Sequence, residues 1–190
     1  MVAQCRPRLG DGLAVAQLGT DPGLDLFDPA RRNSRGYDLG EPGVPEALTA
    51  AIAKARQSNH VAAPIVGGVT RSGTAEPVRN PATGAVVGQV IEADRATVDA
   101  AVAAARKAQN DWSLAGGEFR AARLERAADL LEERDALFLG LAIDEAGKTL
   151  VDAIAEVREA VDFLRYYAAQ ARADFTYPIA LPVPRASATS

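Results

Sequence analysis

The sequence predicts an α-rich fold with one β-hairpin, and three observations carry that expectation. The stretch "AIAEVREAVDFLRYYAAQARADF" (153–175) places Ile154, Val157, Val161, Leu164, Ala168, Ala171 and Phe175 three and four residues apart. That spacing holds one apolar stripe on one face of an α-helix. At about 1.5 Å per residue the helix is roughly 35 Å long, so it needs a large body to pack on. Several shorter stretches repeat the same period. Paired β-branched runs, by contrast, occur at one place, where Val78 and Val86–Ile91 flank "NPATG". The Pro and Gly of that linker suit a turn, so the two runs read as a hairpin.

The elements come in a clear order. Residues 1–44, with "DPG", "DPA" and "RGYDLGEPGVP", read as an extended or loosely ordered segment or linker. Pro45 suits a first helical turn, and 46–57 carries Leu48, Ile52 and Ala55 on one face. Residues 61–76 return to short apolar runs and glycines, after which the hairpin occupies 76–93. Asp94 is placed to cap a helix over 95–112, whose stripe of Val98, Ala101, Val102, Ala105, Ala108 and Trp112 is expected to be buried. "SLAGGE" breaks it. A helix over 119–133 turns Leu124, Ala127, Ala128 and Leu131 inward, and another spans 135–146. Gly147 is a C-terminal cap with Lys148 beside the last carbonyls. Thr149, with Asp152 three residues on, starts the long helix. Residues 45–175 thus form the folded part, and 176–190 read as a disordered tail.

Composition excludes several classes of function. A 190-residue chain with 48% hydrophobic and 24% charged residues has the makeup of a soluble globular protein of one domain, with or without appended segments. A net charge of −4 disfavours nucleic acid as a partner, since nothing here neutralises a phosphate backbone. No apolar run approaches the roughly 20 residues that cross a bilayer. "MVAQCRPRLGDG" lacks an apolar signal core, and a single cysteine fits a reducing cytoplasm, so a cytoplasmic location is expected.

Motifs alone yield no active site. His60 is the one histidine and lacks partners for a triad or a zinc site, which points to a surface or loop role. Cys5 has no nearby base to make it a thiolate, and is expected to be inert. "EAGKT" lacks the upstream glycine of a phosphate loop, its place being taken by Ile143, and reads as a helix cap. There is no G-x-G-x-x-G. Catalytic, cofactor-binding and metal-binding residues are therefore expected to be absent from this chain.

The order of elements nevertheless resembles a known family. "PVRNPATGAVVGQVIEADRATVDAAVAAARKAQNDW" is similar to the opening of the aldehyde dehydrogenase fold: a hairpin with an Asn-Pro-x-x-Gly turn, then a helix ending in Trp. "RAARLERAADLLEE" resembles the family's next, Arg-rich helix, and "EAGK" its Glu-x-Gly-Lys. With "RRNSRGYDL" (31–39) and "EAGKTLVDAIAEVREAVDFLRYYAAQAR", the chain is most similar to the L-glutamate γ-semialdehyde (1-pyrroline-5-carboxylate) dehydrogenase part of bifunctional proline utilization A. The resemblance covers about residues 27–175. "TYPIALPVPRASATS" lacks the Pro-Trp-Asn-Phe-Pro segment that leads into the family's nucleotide-binding sheet.

The fold implied is therefore the N-terminal part of an α/β aldehyde dehydrogenase fold, with the nucleotide-binding sheet missing. The function implied is that of a fragment of a NAD-dependent oxidoreductase of proline catabolism. The family's catalytic Cys, general-base Glu, oxyanion Asn and dinucleotide contacts lie in the missing part, so this chain alone is expected to be inactive, to bind no NAD and to self-associate. Another aldehyde dehydrogenase branch, or a helical interaction module with exposed stripes, are the alternatives. One substrate-binding residue is carried over. In related enzymes the residue six before the Arg of "RYY" reaches into the substrate channel, and here that residue is Glu159, on a face shared with Ala155, Asp162 and Tyr166. An acid there would pair with the amino group of the semialdehyde. A solvated helix acid paired with a neighbouring arginine fits the same position.

Overall fold

The computed structural model of the chain describes Phe27, Pro29, residues 31–57 and residues 60–175. Cys5, the rest of the N-terminal segment before Phe27 and the tail at 176–190 lie outside the described residues.

Among the described residues, five helices and five short strands succeed one another. Helix α1 (Val44–Ala55) has Pro45 in its first turn and buries Val44, Leu48 and Ile52, one position every four residues. Next come strands β1 (Val61–Ala62), β2 (Ile65–Val66), β3 (Val69–Thr70), β4 (Ala75–Arg79) and β5 (Val86–Ile91). The expected hairpin is β4–β5, antiparallel with Val78 opposite Gly88. Its turn is tied by Asn80, whose side-chain oxygen accepts the backbone N–H groups of Ala82 at 2.9 Å and Thr83 at 3.0 Å. This is the local side-chain mimicry that favours Asn before a turn. Two pairings exceed the single hairpin expected from sequence. Strand β1 adds to β5 in parallel, giving the order β1-β5-β4, and β2–β3 form a second hairpin across Gly67 and Gly68. Strands of two residues carry too little periodicity to be read from a sequence.

Helices α2 (Arg95–Leu114), α3 (Gly116–Glu133), α4 (Asp135–Ala146) and α5 (Leu150–Asp174) follow in the described residues. Asp94 caps α2 as expected, accepting the Thr97 N–H at 2.7 Å. Gly147 ends α4 at φ 67°, a left-handed conformation that costs other residues about 1–2 kcal/mol. Thr149 and Asp152 form the predicted start of α5, the Thr149 hydroxyl accepting the Asp152 N–H and donating to its carboxylate. Lys148 departs from expectation. Its ammonium reaches forward to Glu156 of α5 at 2.5 Å rather than back to the carbonyls of α4.

Two small cores hold the helices together. Leu48 and Ile52 of α1, Leu139 of α4 and Ala153 and Ile154 of α5 form one, with Tyr37 and Leu39 packed against it. Ala121 of α3 and Ala168 and Ala171 of α5 form the other. Small side chains let α3 and α5 approach closely, and Gly117 marks the limit. A Cβ there would lie 2.1 Å from the Ala171 carbonyl oxygen, while its own N–H donates to the Phe175 carbonyl at 2.8 Å.

Helix α2 corrects the sequence reading. None of its residues is buried, and Val98, Val102 and Trp112 are 48%, 47% and 47% exposed. The stripe is real but largely uncovered: β2 leans on α2, and α3 meets only its end, where Phe119 packs edge-on against Trp112 and Arg120 donates to the Trp112 and Ser113 carbonyls.

Candidate functional site

The candidate site is the outer face of α5, and its geometry depends on how α5 is anchored. Arg165 lies between Val161 and Ala168 on the buried side of the helix and is itself only 5% exposed. A guanidinium in that position must be paired, because an uncompensated buried charge is very costly. Its Nη2 donates to Glu132 at 2.7 Å and Asp129 at 3.1 Å, both on α3, and its Nη1 to the Asn33 carbonyl at 2.9 Å. Arg172, two turns further on, forks onto Glu118 and Glu125 of α3. Burial works against ionisation of Glu132, but hydrogen bonds from Arg165 and the Arg35 N–H, with both guanidinium charges, outweigh it. They hold the carboxyl below its usual range.

The segment 31–39 completes the anchor. It contains no helix, yet it is strapped across α3, α4 and α5 by polar contacts. Arg35 donates its N–H to Glu132 at 2.8 Å and its Nη2 to the Glu132 carbonyl at 2.7 Å. Tyr37 donates its hydroxyl to Asp135 at the start of α4, where burial first and the Asp135 carboxylate second push the phenol up. Ser34, 1% exposed, takes both oxygens of Asp162, its N–H donating at 2.7 Å and its hydroxyl at 2.8 Å. Arg31 stands 3.7 Å from the same carboxylate. As a string of letters "RRNSRGYDL" offers only a likeness; in three dimensions it clamps the helices.

The clamp leaves one carboxylate over. Four acids lie along the first half of α5. Asp152 is held by the Thr149 cap, Glu156 by Lys148, and Asp162 by Ser34 and Arg31. Glu159 alone of the four has no hydrogen bond or ion pair among the described residues, and it is exposed. Its field reaches Lys148, the partner of Glu156, without an ion pair between them. Phe163, Tyr166 and Tyr167, 51%, 43% and 56% exposed, continue this side of the helix, Tyr167 in ring contact with both of the others. The face thus offers a free anion beside aromatic surface, a combination suited to a cationic group.

Arg165 and Ser34 are the residues that sequence reasoning missed as contributors. Arg165 had a legible signal, a charge seated on an apolar stripe. Ser34 had none, since its partner is 128 residues away. His60 lies in the loop before β1, as expected, with its carbonyl accepting the Gln89 N–H at 2.9 Å. Its Nε2 is buried without a partner beside the Arg56–Asp144 ion pair, in a space no larger than a water needs. No cluster of His, Cys, Asp or Glu among the described residues could hold a metal, and no helix there is long and apolar enough to cross a membrane.

Comparison with known proteins gives this geometry its context. Residues 69–187 match the model of the aldehyde dehydrogenase family. The match extends through 176–187, a stretch that reads from sequence as unlike the family. The bifunctional protein PutA of Klebsiella aerogenes is 41% identical over 152 residues, 80% of this chain. A variant of Thermus thermophilus 1-pyrroline-5-carboxylate dehydrogenase superposes with a TM-score of 0.70 at 31% identity, over 80% of this chain and 30% of that one. The Thermus enzyme solved with bound NAD gives 0.68 at 29% identity, with the same coverage. This chain spans 12% of the length of the PutA protein it matches. Its helices and hairpin are part of an aldehyde dehydrogenase fold, and the chain belongs to the aldehyde dehydrogenase family.

Proposed function

We propose that this chain is a piece of a NAD-dependent L-glutamate γ-semialdehyde dehydrogenase acting in the cytoplasm in the conversion of proline to glutamate. Its relatives' names support the reaction class. The free Glu159 carboxylate supports the substrate, because the semialdehyde carries an ammonium group that simple aldehydes lack. In the complete enzyme bound NAD would supply the hydride acceptor. On this reading its site lies outside these residues; the β5–α2 turn leads from a strand into a helix, but Asp94 caps that helix. The Asp94 carboxylate already takes the Thr97 N–H and repels a pyrophosphate. On this reading the nucleophilic Cys, the general-base Glu and the oxyanion Asn belong to the rest of the family domain. This chain contributes a wall of the substrate channel and is inactive alone.

The test is Glu159→Ala in a full-length relative carrying residues 27–175 of this chain. We expect kcat/KM for the semialdehyde to fall about ten-fold or more, the loss of one charge-assisted contact, while a simple aliphatic aldehyde is largely spared. Equal loss for both aldehydes, or none, would leave Glu159 a structural or solvated acid. The uncovered stripe of α2 favours one other reading, a helical module that binds a partner protein. NAD-linked turnover by the grafted enzyme decides against it.

A further inference from the structure

We propose that the strap selects which carboxylate of α5 a cationic substrate can use: Ser34 and Arg31 occupy Asp162, so that Glu159 is the single anchor and sets the ammonium-to-aldehyde distance accepted. The inference rests on Glu159 being the anchor in the complete enzyme. Glu159 and Asp162 are three residues apart on one helix, so their Cβ atoms are about 5–6 Å apart and offset along the axis by about 4.5 Å. Both are acids on the outward half of α5, and Asp162 is not buried by packing; its side chain is 32% exposed. What removes it from competition is bonding. The Ser34 N–H holds Oδ1 and the Ser34 hydroxyl holds Oδ2, at 2.7 and 2.8 Å. Arg31 adds a neighbouring positive charge at 3.7 Å. The Ser34 hydroxyl is in turn oriented by Arg158, whose Nε donates to it at 3.4 Å. Arg158 leaves no slack, since a Cβ on Gly36 of the strap would stand 3.2 Å from its Cζ.

A released Asp162 would offer a second register. A substrate whose ammonium sits on Asp162 carries its aldehyde about 4.5 Å from where the Glu159 register delivers it, and that complex is non-productive. Non-productive binding has a kinetic signature: kcat and KM fall by the same factor and kcat/KM is unchanged. If the two registers were equally populated, the factor would be about two. Ser34 and Arg31 are positioning residues in this account, since they touch Asp162 and not the substrate.

The experiment uses the same grafted full-length enzyme. The double variant Ser34→Ala/Arg31→Ala leaves Oδ1 on the residue-34 N–H but frees Oδ2 and removes the neighbouring charge. It is expected to lower kcat and KM for L-glutamate γ-semialdehyde together, by up to about two-fold, with turnover of an aliphatic aldehyde such as butanal unchanged. Adding Asp162→Asn, which removes the competing charge, is expected to restore both constants. Ser34→Thr, which keeps the hydroxyl, is expected to behave as wild type. Parallel loss of kcat/KM for both aldehydes would mean that the strap merely stabilises the fold, and would overturn the proposal. So would failure of Asp162→Asn to restore kcat. If Glu159→Ala is selective but releasing Asp162 changes nothing, the register-selecting role alone is wrong. If Glu159→Ala is itself without effect, the anchor reading fails first.

Discussion

At the scale of single residues, Gly117 shows how a missing side chain decides a contact. The start of α3 meets the end of α5 so closely that a methyl group would overlap the Ala171 carbonyl. Gly117→Ala is expected to destabilise the chain by about 1–3 kcal/mol, the usual cost of overpacking, although alanine favours helix. Urea denaturation followed by the helical circular dichroism signal measures it. Glu132 makes a second residue-scale prediction. Its carboxyl is held below the usual value of 4.5 in the folded state. A depressed carboxylate contributes stability that is fully present above its unfolded value and is lost as pH falls through the folded one. The urea midpoint should therefore be flat from pH 7 to about 5 and decline below about 4.5. Glu132→Gln should lower the midpoint at pH 7 and flatten the acid limb, and an unchanged limb would show that Glu132 is not the group responsible.

At the scale of elements, the α3–α5 pair has an alanine seam with an ionic lock at its centre. Small side chains bring little apolar area, so the pair depends on Arg165 more than a leucine-rich seam would. Arg165→Met is expected to cost about 3–5 kcal/mol, because it takes the buried cation from Glu132 and Asp129 and leaves them sharing the longer contacts to the exposed Arg32, at 3.5 Å each. Glu132→Gln in the same background should cost much less than it does alone, since the two changes act on one network. Amide hydrogen exchange should show residues 31–37 losing protection together with the middle of α3 and α5. If the strap stays protected, the Arg165 contact to the Asn33 carbonyl is not what holds it.

At the scale of the whole molecule, the uncovered faces dominate. Val98, Val102 and Trp112 on α2 and Phe163, Tyr166 and Tyr167 on α5 leave two apolar stripes in water. Each Å² of such surface forgoes about 25 cal/mol of burial. The chain alone is expected to self-associate, with a broad, concentration-dependent melt in place of a sharp monomeric one. Light scattering and calorimetry over a hundred-fold range of concentration test this; a cooperative monomer throughout would contradict it. The same chain should show no saturable binding of NAD by titration calorimetry.

What the sequence determined by itself was everything set by local chemistry. The Asn80 turn, the Asp94 cap, the Gly147 stop and the Thr149–Asp152 start all form within a few residues, so their signals stand complete in the chain. The stripes of α1, α3 and α5 were legible for the same reason, being properties of spacing. The tertiary structure decided which stripes are covered, because periodicity shows that a face is apolar and not that a partner exists; α2 has the same pattern as α5 and a different fate. It also decided the strap, since Ser34 and Asp162 are 128 residues apart and neither is unusual where it stands. Glu159 lies between the two cases. Its place on the outer face of α5 comes from 3.6 residues per turn, but its being the unclaimed acid among four depends on what Thr149, Lys148, Ser34 and Arg31 reach once the chain has folded.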